Sequence, residues 1–268
     1  MAITWMLARR WSNYGVVDVV WSAGFAPIAI GYFLGAACRA YDTKLNGFPE
    51  WSFLRALVLV AMVAFWSIRL AWHLGRRVKS HHPVEDVRYA RLRTKWGASA
   101  PSRLFGFFQL QGFLQVLLSI PFLFACLNSR PAVHGNPFAI AEMLSIVIWL
   151  FGLIGEATAD AQLARFRSNP SNRGQVCRTG LWSWSRHPNY FFEWIIWISY
   201  WLYACGSPWG WTSLIAPAMI FYFLTKVTGI PMTEALSIES KGEAYRDYQR
   251  STNAFFPWPP NRVKSKGL

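Results

Sequence analysis

Apolar residues in this chain gather into six blocks of about twenty, at 15–37, 51–74, 104–127, 138–159, 189–205 and 209–225. That length matches what an α-helix needs to cross about 30 Å of hydrocarbon. Inside lipid every backbone N–H and C=O must be satisfied within the segment, so blocks of this kind fold as helices. The fold class expected is all-α, a polytopic transmembrane helical bundle of six to seven helices. Composition agrees: 53% of residues are hydrophobic and 15% charged, against about 25% charged in a typical soluble domain.

The charges that remain are unevenly placed. Between blocks two and three lie Arg76, Arg77, Lys79, Arg88, Arg91, Arg93, Lys95 and Arg103. Between blocks four and five come Arg165, Arg167, Arg173, Arg178 and Arg186, and the tail carries Lys241, Arg246, Arg250, Arg262, Lys264 and Lys266. The alternate loops hold chiefly Arg39, Lys44 and Arg130. Basic loops stay on the cytoplasmic side, so this alternation predicts a multi-pass inner-membrane protein with both ends and the two long basic loops in the cytoplasm. The net charge of +14 is thereby a topology signal, and no nucleic-acid partner is expected. Cys38, Cys126, Cys177 and Cys205 form no CxxC or Cys/His spacing, so neither a metal site nor a disulfide framework is expected. Arg9 and Arg10 precede a full-length first block containing Asp18, which reads as a retained helix and not a cleaved leader.

Ionisable side chains at membrane depth are expensive, and each is a site candidate. They are Asp18 in the first block, Arg55, Arg69 and His73 in the second, Glu142, Glu156 and Asp160 in the fourth and Glu193 in the fifth. Arg55, His73 and Glu142 lie near block ends, where a staple between helices or a snorkelling side chain accounts for them as well as a site does. Glu156, Asp160 and Arg167 share one helical face, and Asn189 and Glu193 share another. Asp18 has two readings, a neutral hydrogen-bonded carboxyl or a reacting one. The tryptophans of block five fit packing better than chemistry.

Two stretches carry a family resemblance. From Gly155 the chain reads GEATADAQLARFRSNPSNRGQVCRTGLWSWSRHPNYFFEW, and from Gly229 it reads GIPMTEALSIESKGEAYRDYQRSTNAFFPW. Both resemble the C-terminal domain of the steroid 5α-reductase family, close to its compact bacterial members, from about Glu156 to Trp258. The Ser-Arg-His-Pro-Asn-Tyr run is also similar to sterol C14-reductases and isoprenylcysteine methyltransferases. The resemblance implies a single membrane domain over 1–268, with substrate-side helices in 1–128 and an NADPH-binding region in 138–258. It implies NADPH-dependent reduction of the Δ4 double bond of 3-oxo-Δ4 steroids or similar enone lipids, and hence roles in lipid and steroid metabolism. By position, Glu156, Asp160, Arg167, Asn189, Tyr190 and Glu193 match cofactor-contacting residues. Arg186 and His187 belong to the same turn, and Glu234, Tyr245 and Tyr248 to the matching tail motif. A monomer in contact with membrane lipids is expected.

Residue chemistry supports part of this. Arginine forks are the best bidentate partners of phosphate, and Arg173 and Arg178 join Arg165, Arg167 and Arg186 in one loop. Asn189, after Pro188, can offer an amide to a nicotinamide carboxamide or cap the helix it opens. No GxGxxG follows a strand, so no Rossmann domain is expected.

Hydride addition to an enone builds negative charge on the carbonyl oxygen, and a hydrogen-bond donor must meet it. A carboxylic acid kept neutral by an apolar site can do so. Asp18 and Trp66 are the nearest matches to the family's early Glu or Gln and its Tyr. Trp66 departs from that pattern, because an indole N–H donates without acting as an acid. Phe192 departs too, standing where relatives often carry Gly before the Glu, and its bulk is expected to narrow the pocket. Gln109, Gln111 and Gln115, with Trp21, are expected to line the substrate path; interhelical glue is the other reading of the glutamines. The alternative function is an S-adenosylmethionine-dependent membrane methyltransferase, which has little use for the arginine loop. A transporter is disfavoured, because no pair of interrupted helices recurs in two halves.

Overall fold

The computed structural model describes residues 1–42, 50–128 and 138–260. Lys44, Arg130, Arg262, Lys264 and Lys266, used above for topology, lie outside them. The described residues form helices and no strand. In order these are α1 (Ala2–Arg10), α2 (Val16–Asp42), α3 (Glu50–His81), α4 (Val87–Trp96), α5 (Ala100–Leu118), α6 (Ile120–Cys126), α7 (Ile140–Ser168), α8 (Pro188–Ala204), α9 (Ile215–Tyr222), α10 (Ile230–Lys241) and α11 (Glu243–Ser251).

Among these residues five stretches are long and apolar enough to cross a membrane: Val16–Arg39, Ser52–Ser80, Val87–Cys126, Ile140–Ser168 and Gly210–Lys241. The chain is thus a multi-pass membrane helical bundle, as its blocks imply. The expected block at 189–205 forms α8, which has 17 residues. At 1.5 Å per residue it is about 25 Å long, a little short for the hydrocarbon layer. The block at 104–127 is broken at Ser119, between α5 and α6. Pro121, in the first turn of α6, lacks the N–H that would continue the ladder, and its ring conflicts with the carbonyl four residues back. The last stretch changes pitch twice, from a 3₁₀ turn at Gly210–Leu214 to α9 and then a π turn at Phe223–Val227.

The chain divides into two compact units, Met1–Met143 with Tyr200–Ala216, and Leu144–Ser199 with Pro217–Leu268. A short later piece, Tyr200–Ala216, thus belongs to the first unit.

In the first unit α2 packs along α3, with α5 and α6 against them. Its centre is aromatic: Trp66, fully buried, meets Phe25 at 5.4 Å and Tyr200 at 5.9 Å, and Phe122 meets Tyr200 at 5.0 Å. Ser67 inserts its hydroxyl into α2, accepting from Ala26 N at 3.3 Å and donating to Ser22 O at 2.6 Å. That takes over one rung of the helix just before Pro27, a combination that bends helices. Buried Arg55, Glu142 and Asn128 gather with Tyr203. Asn128 Nδ2 donates to Glu142 Oε1 at 3.1 Å and to Gly206 O at 3.3 Å, while the Tyr203 hydroxyl donates to Arg55 O at 2.7 Å. For Glu142 the staple reading is the one these contacts describe.

In the second unit α7 and α8 touch through glycine. A Cβ on Gly152 would lie 2.8 Å from Ile196 Cγ1, and one on Gly155 would lie 2.3 Å from the Phe192 ring. The loop after α7 is tied down by Trp182, whose indole N–H donates to Ala159 O at 2.9 Å. Amphipathic α11 buries Tyr245 and Tyr248. The Tyr248 hydroxyl reaches back to the carbonyl oxygens of Trp182 and Ser185.

Candidate functional site

The densest polar cluster of the second unit is built on Arg186, at the turn into α8. Its Nε donates to Glu234 Oε1 at 2.6 Å, and its Nη1 to the carbonyl oxygens of Gln249, at 3.1 Å, and Thr252. Its backbone N–H donates to Asn253 O at 2.8 Å. Arg186 thus ties the α8 turn to α10 and to the strap after α11. Glu234 also meets His187 Nε2 at 3.2 Å and accepts from Gln249 Nε2 at 2.7 Å. The His187 ring stacks on Tyr190 at 5.2 Å, and the Tyr190 hydroxyl lies 3.2 Å from Thr233 Oγ1. Burial lowers the His187 pKa from its ordinary 6.5, outweighing the pull of Glu234. The imidazole is therefore neutral at pH 7.

Around this cluster the expected site residues fall as follows. Asn189 Nδ2 donates to Asp160 Oδ1 at 3.3 Å, joining the first turn of α8 to α7. Asn189 Oδ1 is buried and accepts no hydrogen bond from the described residues. Such an acceptor costs free energy comparable to a lost hydrogen bond unless a donor arrives. Glu156 and Asp160 are buried one turn apart on α7. Glu193 accepts from Trp197 Nε1 at 2.9 Å within α8. Phe192 packs on Gly155 and, edge-on at 5.4 Å, on Phe151. Its bulk therefore fills the helix seam. Arg165, Arg167 and Arg173 are exposed. Arg178 lies over the Tyr248 ring at 5.4 Å and donates to Ala244 O at 2.5 Å. From 161 to 190 the chain holds five arginines and no carboxylate, so this surface attracts anions.

The first unit carries a second polar cluster. Asp18 accepts from Arg88 Nη2 at 2.6 Å and from the Tyr89 hydroxyl at 2.8 Å. Arg88 also holds Asp86, which Arg77 reaches at 2.6 Å, and Glu85 pairs with Arg93 at 3.0 Å. Burial pushes the Asp86 carboxyl up, but hydrogen bonds and charge from Arg88, with Arg77 behind them, hold it down at about 2. The neutral, proton-donating Asp18 expected from sequence is replaced by an ion-paired acceptor. Trp66 lies in the aromatic core described above. Gln115 Nε2 donates to Trp21 O at 2.5 Å, and Trp21 Nε1 to Gln111 O at 3.3 Å. A Cβ on Gly24 would lie 2.4 Å from Gln115 Nε2. For Gln115 the interhelical-glue reading is the one these contacts describe.

Sequence reasoning missed Tyr89, Asp86, Gln249 and Ser185. The first two sit in Glu85-Asp86-Val87-Arg88-Tyr89, where acids interrupt a basic loop just before a helix. Asp86 caps α4 by accepting from Arg88 N, and an acid at that position was the available signal. Ser185 accepts from His187 N at 3.1 Å and donates to Phe255 O at 2.9 Å, which no local pattern announces.

Three comparisons with known proteins bear on this site. A family model described as "Protein of unknown function (DUF1295)" matches residues 4–252. An uncharacterised protein of Schizosaccharomyces pombe is 27% identical over 230 residues, covering 76% of this chain and 63% of the relative. The chain thus spans less than two thirds of that relative's length. No solved structure matches.

Proposed function

The chain belongs to the DUF1295 family of proteins of unknown function, and on that footing we propose that it is an NADPH-dependent reductase of enone lipids. The substrates are 3-oxo-Δ4 steroids or related ring enones, reduced to 5α products. The observation that carries this reading is the buried, unsatisfied Asn189 Oδ1 at the head of α8, in a chain segment holding five arginines and no carboxylate. A nicotinamide carboxamide brings the N–H donor that this oxygen lacks, and a phosphorylated dinucleotide brings anionic groups matched to arginine forks. The donor set therefore fits the cofactor.

Asn189, with Asp160 fixing its amide, would hold the carboxamide. Tyr190 and His187 would support the ring side, and Arg167, Arg173 and Arg178 the phosphates. Glu234 and Arg186 keep the α8 turn fixed, so they position without reacting. NADPH supplies a hydride to the enone β-carbon. Negative charge builds on the substrate carbonyl as the hydride arrives, and its stabilisation by a fixed hydrogen-bond donor is the largest expected contribution. The resulting enolate takes its proton at the α-carbon from water.

Purified protein mixed with NADPH and a 3-oxo-Δ4 steroid such as progesterone tests this, with NADH in parallel. Steroid-dependent loss of NADPH absorbance and a 5α-reduced product are expected, with NADPH preferred. Binding of S-adenosylmethionine without binding of NADPH would end the reductase reading in favour of a methyltransferase.

A further inference from the structure

Helix α1 lies antiparallel beside the first half of α5. A Cβ on Gly112 would come 2.8 Å from Met1 Cγ, Trp5 Nε1 donates to Pro101 O at 3.0 Å, and Trp5 meets Phe105 edge-on at 5.3 Å. At the Arg9 end of this seam an open groove of about 420 Å³ is lined by Trp5, Arg9, Pro101, Ser102 and Phe105. Arg9 lies 5.5 Å from the Trp5 ring, and the next residue along α5, Arg103, lies 5.9 Å from Trp96. Both arginines are exposed. Neither α1 nor α5 contains an aspartate or glutamate.

The apolar surface continues from the groove. Met6 is 54% exposed on α1, and Leu110 and Phe113 are 50% and 60% exposed on α5. Exposed apolar side chains of this size on a soluble protein would mark a contact surface, and on a membrane protein they face acyl chains. One end of the seam is therefore cationic and aromatic, and the rest is apolar.

We propose that this groove is a binding site for one anionic phospholipid. Its phosphodiester meets Arg9 in the groove, Arg103, next in sequence to the lining Ser102, adds positive charge on α5, and an acyl chain lies along the apolar seam of α1 and α5. Arginine forks suit phosphate oxygens, and the indole belongs at the headgroup level. A zwitterionic lipid carries its own ammonium and gains less from two guanidinium groups. A free phosphate ester forgoes the apolar seam entirely.

Native mass spectrometry of the protein released from nanodiscs of phosphatidylcholine with phosphatidylglycerol tests the proposal. One retained phosphatidylglycerol per chain is expected. Each basic residue near an anionic headgroup contributes about fivefold in affinity, so the double variant Arg9→Gln, Arg103→Gln should bind roughly thirtyfold more weakly. Arg10→Gln, outside the groove, should leave retention unchanged. Equal loss from Arg10→Gln would overturn the proposal, since the effect would be diffuse surface charge. Equal retention of phosphatidylcholine, or equal competition by glycerol phosphate, would overturn it as well. Should the double variant fold poorly, the unaltered protein carries the test: phosphatidylglycerol, and not phosphatidylcholine, should raise its melting temperature saturably in detergent, and no such rise would defeat the idea. None of these readouts depends on NADPH or on a substrate, so this site and the reductase reading fail separately.

Discussion

The polar clusters of the two units solve the same problem with opposite charge balances. In the first, Asp18, Asp86 and Glu85 face Arg88, Arg77 and Arg93, and every acid has an arginine within 3.0 Å. In the second, one acid, Glu234, serves Arg186 and His187 together, beside a loop rich in exposed arginine. The first cluster is neutralised from within and reads as a built donor array. The second is balanced one arginine to one acid with His187 neutral, and the positive surplus lies in the loop beside it, which suits a ligand that arrives with its own negative charge.

The contrast is sharpest if each hub is removed. Arg186 has 11% of its side chain exposed and Glu234 has 13%. Arg186→Ala leaves Glu234 with Gln249 and His187 but without its charged partner, strands two carbonyls, and is expected to cost about 3 kcal/mol, the lower end of the penalty for breaking a buried pair. Arg88 is 29% exposed, and Asp86 keeps Arg77 while Asp18 keeps Tyr89, so Arg88→Ala should cost about 1 kcal/mol. Urea or thermal denaturation of both variants checks this, and equal losses would erase the distinction between the clusters. Tyr89→Phe removes only the hydroxyl that donates to Asp18 and should cost about 1 kcal/mol in the same denaturation.

Ligand binding probes the surplus charge. Arg167→Gln with Arg173→Gln should weaken NADPH binding by roughly a hundredfold or more, and NADH, which lacks the 2′-phosphate, by less, since charge-assisted bonds to phosphate contribute about 1.5–3 kcal/mol each. Titration calorimetry with both nucleotides separates these outcomes. The mildest test is pH. The unfolded chain protonates His187 near its ordinary 6.5 while the folded chain resists. Stability should therefore fall as pH drops below about 6.5, and level off below the folded value. For Asp86, held at about 2 against an ordinary 3.8, the contribution is present above the ordinary value and is lost only as pH falls through about 2. Melting curves from pH 8 to about 3 should show the first loss in the protein and not in His187→Gln.

The helical class was plain in the chain because hydrocarbon imposes its own length and leaves only one way to satisfy the backbone. Block edges were recovered closely for α2 and α8, where apolar runs end in polar or proline-marked turns. The break at Ser119 was less legible, since a proline inside an apolar block is read only after the partner carbonyl is known. Short helices α4 and α11 are too polar to stand out, and they bury Tyr89, Tyr245 and Tyr248. In the candidate site, Arg186, His187, Asn189 and Glu234 were found through motif resemblance, and the structure brings all but Asn189 into one bonded cluster. Asp18 stands out as an acid inside an apolar block, but its partner Arg88 lies 70 residues away on α4, and no periodicity connects them.

The contact of Gly155 with Phe192 has an evolutionary corollary. One helix contributes a missing side chain and the other a large one, so the two positions form a single unit of bulk divided across the α7–α8 seam. Gly155→Ala alone should be poorly tolerated, because a Cβ would fall within the ring. The same substitution should become acceptable in a background of Phe192→Gly. Across descendants of this chain, size at 155 and size at 192 are then expected to trade against each other, and neither position should drift alone.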